Sequence, residues 1–315
     1  MKKKLLIFGI SGLTGYKIAK NAIQKYDVFG TFNVRNVKLD NSTAYKLDLT
    51  NKEEVTKVFH EIKPDLVVNT TALHNVDYCE ENKDSATKVN TEAVKTLYEN
   101  SEKFGSRLIH ISTDYVFEGK NNSPYSERDE ALPLSYYGRS KLDGEKILEN
   151  SRHVVVRPSV VYGWTPLEFA GITSSSGKPM NFALWVLTKL NKNEPLKIVT
   201  DQFASATLAD SLAESILKIA SSDKSGLYHV SGLSCESRYS FTVKLAEKFG
   251  YDTKSISPIT SGGIVQKAKR PAYSCLNCEK ATKEFALRLL TTDEAMDVMK
   301  NQVEKEAPYL ISINK

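Results

Sequence analysis

The sequence has no apolar run approaching the roughly 18–20 residues that a bilayer-spanning helix needs, and this excludes a conventional membrane helix. Cysteine is scarce as well, with 4 in 315 residues. Cys275 and Cys278 form one C-x-x-C, while Cys79 and Cys235 stand apart. With no second pair and no histidine cluster beside it, that motif lacks the ligands of a zinc site, and no metal ligands are assigned. The four are expected to be reduced packing residues in a reducing compartment. Charge of one sign never accumulates: the net charge is +5, without a basic stripe. That speaks against a nucleic-acid partner and fits a lysine-rich solvated surface. Repeats and low-complexity tracts are absent too. The opening "MKKKLLIFGISG" has a basic head and a short apolar run, but it leads into glycines rather than a small-residue cleavage site. It is expected to be a first strand, not a signal peptide, in a cytoplasmic protein.

What is present is β-α alternation. "KLLIFG" (4–9), "DVFGTF" (27–32), "DLVVNT" (65–70), "RLIHIS" (107–112) and "HVVVRP" (153–158) are short apolar runs suited to strands buried on both faces of a parallel sheet. Between them lie amphipathic stretches. "TNKEEVTKVFHEI" offers a capping box of Thr50 and Glu53, with Val55, Val58, Phe59 and Ile62 on one face. "SATKVNTEAVKTLYENSEKFG" carries Ala86, Val89, Ala93, Val94 and Leu97 as a stripe and stops at Gly105. The pattern predicts an α/β fold, a Rossmann-type doubly wound parallel sheet over residues 1–160. Residues 161–315 are expected to form mainly a smaller C-terminal substrate-binding lobe, with some segments returning to the sheet. The Gly/Ser/Pro-rich stretch 163–179 and the long connection 251–271 are expected to be functional loops.

The first strand runs into "GISGLTG", with glycines at 9, 12 and 15. In a strand-turn-helix context such glycines allow a tight turn and bring a helix N-terminus to a pyrophosphate. After the second strand, "GTFNVRN" has no acid to hold ribose hydroxyls and a basic residue at Arg35. This favours NADPH, with NADH the alternative cofactor. The fourth strand ends in "HISTDYVFEG", which puts the hydroxyls of Ser112 and Thr113 at the carboxyl edge of the sheet, where such folds bind ligands. In "SYYGRSK", Tyr137 has Lys141 four positions on, so both can reach one reacting group from a helix. Tyr136 lacks such a partner and is expected to pack; the Tyr16/Lys20 match is read as chance.

In combination, "GISGLTG", "STDYVFEG", "YGRSK", "VVRPSVVYG", "DQFASATLADSLA", "GLYHVSG" and "RPAYSCLN" resemble the extended short-chain dehydrogenase/reductases. Within that superfamily the chain is most similar to the dTDP-4-dehydrorhamnose reductases, over nearly its whole length. The resemblance implies a Thr113–Tyr137–Lys141 catalytic triad, a nicotinamide cofactor, a nucleotide-linked 4-keto sugar as substrate and a homodimer. It places cofactor contacts at Gly9, Gly12, Leu13, Thr14, Gly15, Arg35, Asp48, Leu49, Thr71, Ala72, Tyr137 and Lys141. Tyr137 would protonate the ketone oxygen, Thr113 would hydrogen-bond it, and Lys141 would lower the phenol's pKa. Asn90 matches a helix asparagine of the family. Thr113 is followed by Asp114 and Tyr115 rather than by the Asp-Glu pair of the related 4,6-dehydratases, which points to simple carbonyl reduction.

The chain departs from the family on the substrate side. Val160 and Arg238 stand where tryptophans are common, Ala206 replaces a proline, and Trp164 is too far along to substitute for the first tryptophan. The chain is also similar to the regulatory β subunit of methionine adenosyltransferase, which implies an alternative as an NADP-binding partner protein.

Overall fold

The computed structural model describes residues 2–34, 38–166 and 181–311. Arg35 and most of the 163–179 loop lie outside the described residues. The strands of the main sheet are β1 (Lys3–Phe8), β2 (Tyr26–Phe32), β3 (Ser42–Lys46), β4 (Leu66–Asn69), β5 (Arg107–Ile111) and β6 (Val154–Arg157). β7 (Ser159–Tyr162), β8 (Leu196–Val199), β9 (Phe203–Ala204) and β10 (Ala206–Leu208) follow, then β11 (Gly226–His229), β12 (Glu236–Ser237) and β13 (Ile256–Ile259). The main sheet has seven strands in the order β11-β6-β5-β4-β1-β2-β3, every neighbouring pair parallel. Its central strands are the apolar runs seen in the sequence, because only a strand covered on both faces needs to be apolar throughout.

The first six helices are α1 (Leu13–Ala22), α2 (Lys52–Ile62), α3 (Val76–Glu81), α4 (Lys83–Thr87), α5 (Ala93–Phe104) and α6 (Tyr136–Ile147). The remaining five are α7 (Phe182–Asn191), α8 (Ala209–Ala220), α9 (Arg238–Lys248), α10 (Glu279–Phe285) and α11 (Thr292–Glu306). On one face of the sheet, Leu5, Ile7, Val68, Ile109 and Val156 meet α1 and α8. On the other, Leu6, Phe8, Val67 and Leu108 meet the apolar stripes of α2 and α5. The fold is therefore the expected doubly wound sheet, closed at one edge by β11 from late in the chain.

Two local expectations change. The cap of α2 is Asn51, whose Oδ1 accepts from the backbone N–H groups of Glu53 and Glu54 at 3.1 and 3.2 Å. Thr50 turns to Asp48 instead, its N–H and hydroxyl both donating there. Between α4 and α5 the helix widens for one turn over Lys88–Glu92, which aims Asn90 inward. Gly105, with φ +72°, ends α5 in the left-handed conformation, as its sequence position suggested.

A second apolar cluster joins Tyr162, Trp164, α7, β8, α9 and α11. The 251–271 segment is more ordered than a long loop: its residues 256–259 form β13, paired in parallel with β8. The cysteine expectation is also corrected. Cys235 and Cys275 form a disulfide with Cα atoms 5.5 Å apart, while Cys79 and Cys278 are buried free thiols. Sequence spacing concealed the pair, since 40 residues separate the partners. Among the described residues no helix is long and apolar enough to cross a membrane.

Candidate active site

At the carboxyl ends of β1, β2, β4 and β5 the sheet opens into a cleft of about 920 Å³. Gly9, with φ +88°, turns the chain out of β1 in a conformation L side chains rarely adopt. Gly15 then crosses so close that an added Cβ would lie 2.1 Å from the Gly9 carbonyl oxygen. Gly12 caps α1 without any side-chain bond, and the first turn carries no acid. Amide N–H groups and the positive end of the helix dipole are thus left for an anion. Leu13, Thr14, Asp48, Leu49, Thr71 and Ala72 line the same cleft. A dinucleotide therefore fits: its pyrophosphate has an uncapped helix end, and glycines clear its approach.

Thr113 and Tyr137 line the cleft together, both nearly buried. Tyr137 begins α6, whose cap is Ser135, its Oγ accepting from Gly138 N–H at 3.2 Å. Gly138 lets the helix approach the turn after β5, since a Cβ there would meet the Tyr115 carbonyl at 2.1 Å. Asn90 fastens the same region: its Oδ1 accepts from Leu73 N–H, and its Nδ2 donates to Ser140 Oγ on α6. Its role here is structural. Tyr136 packs as expected, its hydroxyl 2.8 Å from Thr87 Oγ1.

Lys141 is anchored to β5. Its Nζ donates to the Ile111 carbonyl at 2.7 Å and lies 3.2 Å from His110 Nε2, with the side chain buried. Burial lowers its pKa to about 8, opposed by Glu145. Burial also pushes the Tyr137 phenol up, with Thr113 acting in the lowering direction and the Asp114 charge in the raising direction. The removal of water around the phenol is the largest influence on it.

Sequence reasoning missed Asp114. Its buried carboxylate accepts from Thr113, Ser159 and Ser274 hydroxyls at 3.1, 2.8 and 2.6 Å, and burial raises its pKa. The Thr113 oxygen in turn accepts from the Tyr115 N–H at 3.2 Å. Ser112 Oγ is buried without a protein partner beside it.

On the opposite wall stand Val160, Lys197, Arg238 and Arg270. Val160 is the extra residue of a bulge between β7 and β10, because Ala206 pairs with Ser159 and Thr207 with Val161. Its φ of +41° is unusual for a β-branched side chain and is held by that irregular pairing. Arg238 lies 4.9 Å over the Phe182 ring. Arg270 is held by Asp77 at 2.8 Å. Trp164 is turned away into the second cluster, its Nε1 donating to Glu306.

A nucleotide-ready parallel sheet with a Tyr-x-x-x-Lys helix beside its fifth strand is the architecture of an extended short-chain dehydrogenase/reductase. The chain belongs to the RmlD substrate binding domain family, whose model matches residues 3–304. It is 31% identical over 298 residues to the dTDP-4-dehydrorhamnose reductase of Aggregatibacter actinomycetemcomitans, covering 90% of this chain and 94% of that one. With the spore coat polysaccharide biosynthesis protein SpsK of Bacillus subtilis it shares 32% identity over 288 residues, covering 90% and 92%. The crystal structure of a Bacillus anthracis dTDP-4-dehydrorhamnose reductase in complex with NADP superposes with a TM-score of 0.83 at 25% identity, covering 96% of this chain and 100% of that one.

Proposed function

We propose that this protein is an NADPH-dependent reductase of the C4 ketone of a nucleotide-linked deoxysugar, converting dTDP-4-dehydrorhamnose to dTDP-rhamnose. The observation that carries the reading is the placing of Tyr137 and Thr113 in one cleft with the uncapped N-terminus of α1. Relatives named for that reaction, and one solved with NADP, support the choice of substrate and cofactor.

Gly9, Gly12, Leu13, Thr14 and Gly15 would hold the pyrophosphate, Asp48 and Leu49 the adenine side, and Thr71 and Ala72 the stretch between. Arg35 would meet a 2′-phosphate. NADPH bound there supplies a hydride to the ketone carbon. Tyr137 gives its hydroxyl proton to the oxygen on which charge develops, and its high affinity for that proton suits it to remain protonated until then. Thr113 lies beside the phenol, and its bond to Asp114 fixes the direction of its own hydroxyl. Lys197 and Arg238 give the opposite wall the positive charge that a sugar diphosphate needs, while Arg270 shares its charge with Asp77. Residues 1–160 would thus serve the dinucleotide, and residues beyond 160 mainly the sugar nucleotide. A homodimer and a cytoplasmic setting, where both NADPH and nucleotide sugars are made, complete the proposal.

The test is NADPH oxidation with dTDP-4-dehydrorhamnose, followed by identification of the product. Formation of dTDP-rhamnose is expected. Tight NADPH binding without turnover on any 4-keto sugar nucleotide would instead favour a regulatory binding protein.

A further inference from the structure

His110 has no part in the reading above, yet it touches Lys141. Asn69 at the end of β4, His110 in β5 and Lys141 in α6 stand side by side, with exposures of 0%, 0% and 1%. The backbone N–H of Thr71 donates to Asn69 Oδ1 at 3.0 Å. Only an oxygen can accept there, so the Asn69 amide has one satisfactory orientation. Its Nδ2 then donates to His110 Nδ1 at 3.1 Å. A ring whose Nδ1 accepts carries its proton on Nε2 when neutral. That Nε2 lies 3.2 Å from Lys141 Nζ. An ammonium in this place would set two donors face to face. A neutral amine accepts the Nε2–H on its lone pair and keeps its bond to the Ile111 carbonyl.

We propose that His110, held in its Nε2–H tautomer by Asn69 and the Thr71 amide, is a positioning residue that biases Lys141 toward the neutral amine. The titratable groups facing Lys141 are His110 from β5 and Glu145 from its own helix. Glu145 works in the opposite direction, but Arg157 shares its charge. Asp114, in the turn after β5, faces Tyr137 instead. Burial first and Lys141 second keep His110 neutral, and burial depresses Lys141 to about 8. Resting on the reductase reading, the consequence is that Lys141 exchanges its proton at the pH of turnover. Thr71 also lines the cleft, so the chain of bonds starts at the cofactor-side loop.

The experiment is nuclear magnetic resonance on the full chain labelled with ¹⁵N at histidine and ¹³Cε at lysine, the Lys141 signal being assigned by its loss in Lys141→Arg. His110 is expected as the Nε2–H tautomer, with Lys141 titrating near 8. In His110→Gln, whose carbonyl oxygen can accept from an ammonium, that midpoint is expected to rise by about one unit or more. An Nδ1–H tautomer, or an unmoved midpoint, overturns the proposal. Should His110→Gln not fold, Asn69→Asp replaces it: its second oxygen accepts from Nδ1–H, switches the tautomer, and is expected to raise the midpoint likewise. None of these readouts needs turnover, so loss of the reductase reading leaves them intact. In the active enzyme the pH limb of kcat should move with the Lys141 midpoint. A limb that stays while the midpoint moves overturns the link to turnover.

Discussion

Arg157 on β6 holds Glu145 on α6 through two guanidinium nitrogens, Nε to Oε1 at 2.9 Å and Nη2 to Oε2 at 2.5 Å. Both side chains are under 10% exposed, at 4% and 7%, and the guanidinium lies 5.1 Å over the Phe117 ring. The pair locks the helix of Tyr137 and Lys141 onto the sheet. Glu145→Ala leaves a buried guanidinium without its counter-ion and should cost about 3–5 kcal/mol of stability. Urea unfolding checks it, and the paired change of Glu145→Leu with Arg157→Met should recover most of the loss.

Gly12→Asp should separate folding from cofactor binding. A Cβ at Gly12 meets only the Gly9 carbonyl, at 3.4 Å, so the chain can accommodate it. Aspartate is a good helix cap, and stability should hold or rise slightly. Its carboxylate would occupy and repel the pyrophosphate position, weakening NADPH binding by about tenfold or more. Fluorescence titration of NADPH measures this. Gly15→Ala should instead damage folding, because its Cβ would collide with backbone.

Acid should unfold the protein early. Burial lowers His153 from 6.5 to about 4 and His229 from 6.5 to about 3. Between those values and 6.5 the unfolded chain binds protons that the folded chain refuses. Stability is therefore complete above pH 6.5 and falls as pH drops toward 3–4, by about 1.4 kcal/mol per unit for each histidine. Urea midpoints from pH 7 to pH 4 test the slope, which His229→Asn should reduce.

The Cys235–Cys275 bond closes a loop of 40 residues, and the chain-entropy model assigns such a bond about 4 kcal/mol. It also braces Ser274, whose hydroxyl donates to Asp114 behind Thr113. Dithiothreitol, or Cys235→Ser, should lower the melting temperature; an unchanged value would show that the bond adds nothing.

The central strands were legible because burial on both faces demands unbroken apolar runs. β3, "STAYK", was not: it is an edge strand whose residues are all exposed or half-buried, so nothing forces it to be apolar. Thr113 and Tyr137 were legible as a motif at a strand tip and a helix start, and the cleft contains both. Spacing put Tyr137 and Lys141 on one helix, but it could not report the burial of Lys141 or its bond to the Ile111 carbonyl. His110 and Asp114 were hidden for a related reason. A polar residue inside an apolar strand or after its tip gains meaning only from the hydroxyls, amides and amines that other segments bring to it.

The most direct test of the account compares wild type with Tyr137→Phe, measuring both NADPH affinity and the rate of NADPH oxidation with dTDP-4-dehydrorhamnose. NADPH affinity is expected to hold while the rate falls by about 10²–10⁴-fold, the share that general acid catalysis contributes. A Tyr137→Phe enzyme that turns over at the wild-type rate would contradict it.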